Sequence, residues 1–252
     1  MISRNALIEF CTSTLDADRF RDAGLNGLQV EGKHDIRRLA CAVSVSERVI
    51  RGALDWNADI LLVHHGLFWG ERAGPISGPL RARLQLLLVN DLSLAGYHLP
   101  LDAHPEIGNN ARLIRRLGLQ IERSFSEVAG QAIGFIGRSP APVAVGELAH
   151  RVQQITDRTP TVLDGGPDET DHVAVVSGSG YSALEEAAEL GCGVLVTGDV
   201  REPTMALARE LGVTVIAGGH EATERLGIQA LAELAAKQFG IETRFFAYPN
   251  PI

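Results

Sequence analysis

The chain predicts an α/β fold, built as two related three-layer halves, each with a largely parallel sheet covered by helices. Three observations carry that prediction. Short apolar runs alternate with amphipathic stretches from end to end, the pattern of strand–helix–strand units rather than of a bundle or a sandwich. Gly, Pro, Asn and Ser punctuate the joints. Three of the apolar runs, 59–63, 92–95 and 213–217, stop at His and carboxylate residues. In an open α/β sheet, ligands are bound beyond the carboxyl ends of the strands.

Residues 3–17 read as an amphipathic helix and 39–45 as a strand. Residues 46–56 form a helix opened by Ser46, with Glu47 in its first turn, where a hydroxyl satisfies an exposed N–H and an acid meets the positive end of the helix dipole. Residues 59–63 are a strand running into His64-His65. The helix over 79–89 tolerates Pro79 because the first turn has no internal use for its N–H. A strand over 92–97 leads into His98. Asn109 or Asn110 caps a helix that runs through Leu117 and ends at Gly118.

A polar stretch at 122–130 marks a boundary, giving an N-terminal α/β domain over 1–125 and a C-terminal one over 126–252. The second domain has strands near 131–136, 172–177, 193–197 and 213–217, and helices near 144–155, 181–190, 202–211 and 221–239. Residues 164–169 are a loop by composition. Tyr248-Pro249-Asn250-Pro251-Ile252 cannot continue a regular element. A weak repeat links the halves: Val43-Ser44 through Leu62-Val63-His64 overlays Val176-Ser177 through Leu195-Val196-Thr197 at a constant offset. The repeat reads as a duplication or as the chance likeness of two βα units.

Composition excludes several functions. A net charge of -8 and pI near 5.5 oppose binding to a phosphate backbone, which relies on Lys and Arg. Cys11, Cys41 and Cys192, odd in number and widely spaced, make neither a disulfide framework nor a thiolate zinc site. They read as small apolar residues in a reducing cytoplasm. The N-terminus lacks an apolar stretch long enough for a secretion signal, and the run at 84–89 is far too short to span a membrane.

One phrase occurs twice. Ala95-Gly96-Tyr97-His98 and Ala217-Gly218-Gly219-His220 each precede a carboxylate four residues on from the His, Asp102 and Glu224. With His64-His65, this places six imidazole and carboxylate donors at three strand ends. His220 and Glu224 would share one helix face; Pro100 makes the geometry of His98 and Asp102 less regular. Adjacent strand residues point to opposite faces, but at a strand end, before Gly66, both His64 and His65 can swing to one side. The donors, without thiolate, suit Zn, Fe, Mn, Ni or Co. Two carboxylates among them fit two ions, with Asp102 and Glu224 as bridges. Such a pair, about 3.5–4 Å apart, serves hydrolysis by acidifying a water and steadying developing charge. Any one cluster alone reads equally as a hydrogen-bonded core His or a surface pair. His34, His150, His172 and His104 are read as structural or surface residues. The turn Ser177-Gly178-Ser179-Gly180 could hold an anion but reads better as a tight βα connection. Asp199 could reach the same region, and Phe68 and Trp69 could wall a pocket or pack.

These residues carry a family resemblance. Asn26-Gly27-Leu28-Gln29-Val30-Glu31-Gly32, Val63-His64-His65-Gly66, the stretch from His98-Leu99-Pro100-Leu101-Asp102 to Gly108-Asn109-Asn110, Thr197-Gly198-Asp199-Val200, Gly219-His220-Glu221-Ala222-Thr223-Glu224-Arg225 and Pro249-Asn250-Pro251 follow in order along the chain. The chain resembles the dinuclear metal-centre hexamer family, widely filed as GTP cyclohydrolase I type 2 homologues, in its short bacterial form. The resemblance implies a toroidal homohexamer with two divalent metal ions per chain, held by His64, His65, Asp102, His220 and Glu224 at a site shared by the two domains. It places His98 beside the metals, where it supports the ligands from behind or transfers a proton rather than serving as a firm ligand. Where longer relatives have a His after the Thr-Gly-Asp segment, Arg201-Glu202-Pro203-Thr204 stands here, so no role passes to it. The expected function is a metal-dependent hydrolase of a small, nucleotide-like substrate. The alternative is a non-catalytic metal-binding assembly acting by interaction or regulation.

Overall fold

The structure, a computed structural model, describes residues 1–70, 75–248 and 250–252. Pro249 of the Pro-Asn-Pro segment lies outside the described residues. The fold is mixed α/β, as expected. The chain forms two compact units. Met1–Leu101 with Gly227–Tyr248 makes the first, and Asp102–Leu226 with the C-terminal residues makes the second.

The division therefore does not fall at 122–130. That stretch lies inside a strand, Gln120–Val128, which pairs antiparallel with Gln131–Ala144 around the two-residue turn Ala129-Gly130. Both turn residues have positive φ (49° and 82°), as a tight hairpin with right-twisted strands needs. The strand resembles a linker because, of its nine residues, Phe125 alone is fully buried. Asp102, expected in the first domain, accordingly belongs to the second unit.

In the first unit a five-stranded sheet runs in the order Glu242–Phe245, Arg38–Ser44, Ile60–His65, Ser93–Gly96, Gly27–Val30. The first four strands are parallel, and the last is antiparallel to its neighbour. Leu39, Ile60, Leu61, Val63 and Leu94 are fully buried, the near-continuous apolar runs a sheet covered on both faces requires. Helix Arg4–Thr14 starts at Ser3, whose hydroxyl accepts from the Ala6 N–H at 3.2 Å. Helix Glu47–Asp55 starts at Ser46, which accepts from Val49 at 3.2 Å. Helix Gly78–Val89 carries Pro79 in its first turn. Parallel pairing extends to Ser44 opposite His65, so the strand runs through the histidine pair rather than stopping before it.

The second unit has a six-stranded sheet in the order Gln120–Val128, Gln131–Ala144, Glu169–Val176, Val194–Thr197, Thr214–Ala217, Thr161–Leu163. Its three central parallel strands have the connectivity seen in the first unit, with antiparallel strands added outside. Helix Asn109–Arg116 is capped by Gly108, not by Asn109 or Asn110. Both asparagine side chains are buried and used elsewhere. The helix expected over 221–239 is broken into His220–Thr223 and Arg225–Phe239, with Glu224 between them at φ -103° and ψ 4°. Among the described residues, no helix is long and apolar enough to cross a membrane.

Candidate metal centre

In the first unit, two neighbouring parallel strands end in His64-His65 and just before His98. Alternation along a strand would separate His64 from His65, yet their ring centroids lie 4.5 Å apart. Their partners hold them there. His64 Nδ1 lies 2.9 Å from the Tyr97 carbonyl oxygen, an acceptor only, so Nδ1 carries the proton. His65 Nδ1 lies 2.9 Å from Ser44 Oγ. The His98 ring lies 5.1 Å from that of His64 and 5.6 Å from that of His65. One nitrogen from each of the three imidazoles falls within 4.8 Å of the others, a group that could hold a metal ion.

The surroundings of this group explain the Asn26-Gly27-Leu28-Gln29 motif. Asn26 Oδ1 accepts from the His98 backbone N–H at 2.8 Å. Gln29 Oε1 accepts from the Leu67 N–H at 2.8 Å, tying down the turn after His65. Gly66 has no room for a Cβ, which would meet the Gln29 amide. Trp69 packs edge-on against His98 at 4.9 Å and donates its indole N–H to the Gly66 carbonyl at 3.0 Å.

Asp22 was not singled out by the sequence. Its carboxylate is 2% exposed and lies 2.8 Å from His98 Nδ1. Burial alone would raise its pKa. The bond and charge of His98, with the Gly24 and Leu99 amides, outweigh that and hold it down to about 2. No short motif surrounds Asp22, and its partner is far along the chain, so a spacing argument could not find it.

The second unit contributes a different set. Asp102 is buried and accepts from Asn109 Nδ2 at 2.8 Å and from Ser177 Oγ at 3.4 Å. Asn110 joins this region to the sheet: it donates to the Ile133 carbonyl at 2.7 Å and accepts from the Ser177 N–H at 2.6 Å. His220 Nδ1 lies 2.7 Å from Asp199 Oδ2, and its Nε2 lies 3.3 Å from Glu224 Oε2. Burial would lower the His220 pKa; Glu224 first, and Asp199 after it, overcome that and raise it to about 9. Asp199 comes from the Thr-Gly-Asp turn, a weak signal in the sequence that the structure puts against His220. Glu221 is taken by Arg225, 2.9 Å from Arg225 Nε.

Gly178 has φ +61°, and a Cβ there would run into the Glu224 carboxylate and the His220 ring. Ser177 touches Asp102 and Gly178 abuts Glu224, so both carboxylates and His220 gather around one strand end. Three of the four amides of that turn are already used. Ser177 donates to Asn110, Gly178 to Thr223 Oγ1 at 3.1 Å and Gly180 to Thr197 Oγ1 at 2.9 Å. The turn is a connection, not an anion cradle. Among the other histidines, His104 Nδ1 accepts from the Glu106 and Ile107 amides, and His172 sits between Asp171 and Glu122; both have structural roles.

The pattern that defines the family described as Duf34/NIF3 (NGG1p interacting factor 3) matches residues 2–251. This chain belongs to the DUF34/NIF3 family. A member from Pseudomonas aeruginosa named GTP cyclohydrolase 1 type 2 homolog is 39% identical over 250 residues, 99% of either chain. Among solved structures, protein ybgI, of unknown function, superposes with TM-score 0.94 at 37% identity, covering all of both chains. TTHA1606 from Thermus thermophilus does so with TM-score 0.89 at 36% identity, again over both full lengths. The donor set of this DUF34/NIF3 chain, imidazole and carboxylate without thiolate, fits the borderline divalent metals.

Proposed function

We propose that this DUF34/NIF3 protein is a metal-dependent hydrolase of a small, nucleotide-like substrate. Its centre comprises two divalent ions held by His64, His65, Asp102, His220 and Glu224, with His98 in proton transfer. The carrying observation is the gathering of His64, His65 and His98 at one sheet edge, one nitrogen of each within 4.8 Å of the others. An ordinary core does not need three imidazoles packed ring against ring. When bound, such ions supply an activated water and charge stabilisation.

The chain's own residues do the rest. Tyr97 and Ser44 fix the rings of His64 and His65. Trp69 closes one side of the His98 ring and excludes water there. Asp102 and Glu224, both nearly fully buried, supply negative charge that favours cations over anions at the second unit's strand end. The relatives' name makes GTP the first substrate to try. Assembly as a homohexamer and a cytoplasmic location belong to the same reading. Three cysteines free of disulfides fit that location.

The test combines elemental analysis of protein purified without added metal, native mass measurement, and a panel of nucleotides, pterins and phosphoesters. Turnover lost on chelation and in His64→Ala, and restored in the wild type by one defined metal, supports the hydrolase. A hexamer with two ions per chain that turns over nothing supports the non-catalytic assembly instead.

A further inference from the structure

Both copies of the Ala-Gly-x-His phrase end in a histidine whose Nδ1 meets an aspartate from elsewhere in the chain. His98 meets Asp22 at 2.8 Å, and His220 meets Asp199 at 2.7 Å. The first pair is the more constrained. Apart from His98, the Asp22 carboxylate meets the Gly24 N–H at 3.0 Å, the Leu99 N–H at 2.8 Å and the Asn26 side-chain amide at 3.1 Å. The two backbone groups can only donate, and Asn26 is oriented to do so because its oxygen already accepts from His98 N–H. An ionised carboxylate can only accept, so His98 Nδ1 brings a proton as well.

The loop that carries Asp22 is pinned. Gly24 bridges to Trp69, Leu25 N–H donates to the Phe68 carbonyl at 3.1 Å, and Gly70 N–H donates to the Ala23 carbonyl at 2.6 Å. We propose that Asp22 is a positioning residue for His98: it selects the Nδ1–H tautomer and leaves Nε2 as the accepting nitrogen of a ring flanked by His64, His65 and Trp69. In a hydrolysis, Nε2 takes one proton from the attacking water, the remaining hydroxyl bonds to the substrate, the substrate's bond to the leaving group breaks with its electron pair going to that group, and the same proton passes to it. Asp22 stays ionised throughout and exchanges no proton. Use of the orientation in catalysis rests on the hydrolase reading; the orientation itself does not.

The test is ring-nitrogen NMR of the ¹⁵N-labelled full chain at about pH 8, above the ordinary imidazole range. The His98 signals are assigned by their loss in His98→Gln. In the wild type His98 gives the Nδ1–H pattern. In Asp22→Asn, whose amide must turn its own N–H groups toward some of these donors, the pattern shifts to Nε2–H or to a mixture. A wild-type His98 in the Nε2–H form overturns the proposal without any variant, and so does an Asp22→Asn protein with the wild-type pattern. With a substrate from the panel, Asp22→Asn lowers kcat about 100-fold or more and leaves KM within about twofold. A raised KM with unchanged kcat overturns the positioning role in catalysis. If the tautomer shifts as expected while the wild type holds no ion and turns over nothing, the positioning claim stands and the hydrolase reading falls.

Discussion

The two units solve the same topological problem with different chemistry. Each sets at least three parallel strands side by side and places donors at their carboxyl ends. The first unit offers imidazoles, held by a carbonyl, a hydroxyl and a carboxylate. The second offers buried carboxylates and one imidazole, held by amides, hydroxyls and a second carboxylate. The repeated phrase also sits at different depths. Ala95 pairs with Leu62, whereas Ala217 pairs with Thr197, which the repeat equates with His64. In the register of the repeat, the second copy is thus slipped outward by two residues. A shared strand framework fixes where donors emerge, while the neighbours fix which donors they are and how they are charged.

The comparison breaks most visibly in metal content. His64→Ala is expected to weaken ion binding by more than about 100-fold, since even the loss of a group that only orients a ligand costs about 10–100-fold; calorimetry with a single divalent metal measures it. If the second unit alone sets affinity, His64→Ala binds as the wild type does.

Stability gives the next largest effect. Gly178→Ala forces a left-handed backbone on a residue with a Cβ and drives that Cβ into the Glu224 side chain. A loss of about 2 kcal/mol or more is expected, read from denaturant midpoints. A variant within about 0.5 kcal/mol of the wild type would show that the second unit's strand end is slack.

The two Asp–His pairs should also respond oppositely to pH. The folded pKa of Asp22 lies below its unfolded value. Its contribution is therefore complete above about pH 4 and lost as pH falls through about 2. Asp22→Asn should flatten that acid limb in chemical denaturation. The folded pKa of His220 lies above its unfolded value. In metal-free protein its contribution is complete below the ordinary imidazole value of 6.5 and lost as pH rises through about 9. Asp199→Asn should move that alkaline loss to lower pH, by less than Glu224→Gln does. An alkaline limb unchanged in both variants would remove the charge account of His220.

The smallest expected change is in thiol chemistry. All three cysteines should resist alkylation in the folded chain, because burial holds them as thiols.

Much of this arrangement was legible in the sequence, for physical reasons. Buried parallel strands must be apolar along their length, so 60–63 and 194–196 stand out. A strand that ends in paired imidazoles breaks that rule conspicuously. What stayed hidden followed from the same logic. Gln120–Val128 exposes most of its residues, so its charges read as a linker. Gly27–Val30 and Glu242–Phe245 are edge strands of four residues with mixed burial. Asn109 and Asn110 looked like caps because that is where asparagine is usual, yet they serve Asp102 and Ser177 instead. Asp22 is a partner of a ring nitrogen, and nothing local betrays an interaction across 76 residues of chain; Asp199, 21 residues from His220, left only the faint signal of its Thr-Gly-Asp turn.

One consequence concerns the order in which the polypeptide is made. Gly227–Tyr248 belongs with Met1–Leu101, and Glu242–Phe245 pairs with Arg38–Ser44 at the sheet's margin. During synthesis the second unit's main segment leaves the ribosome before the first unit has its last strand. The portion that begins earliest is completed last, and until then the backbone of Arg38–Ser44 waits with one flank unpaired, a template for the wrong neighbour.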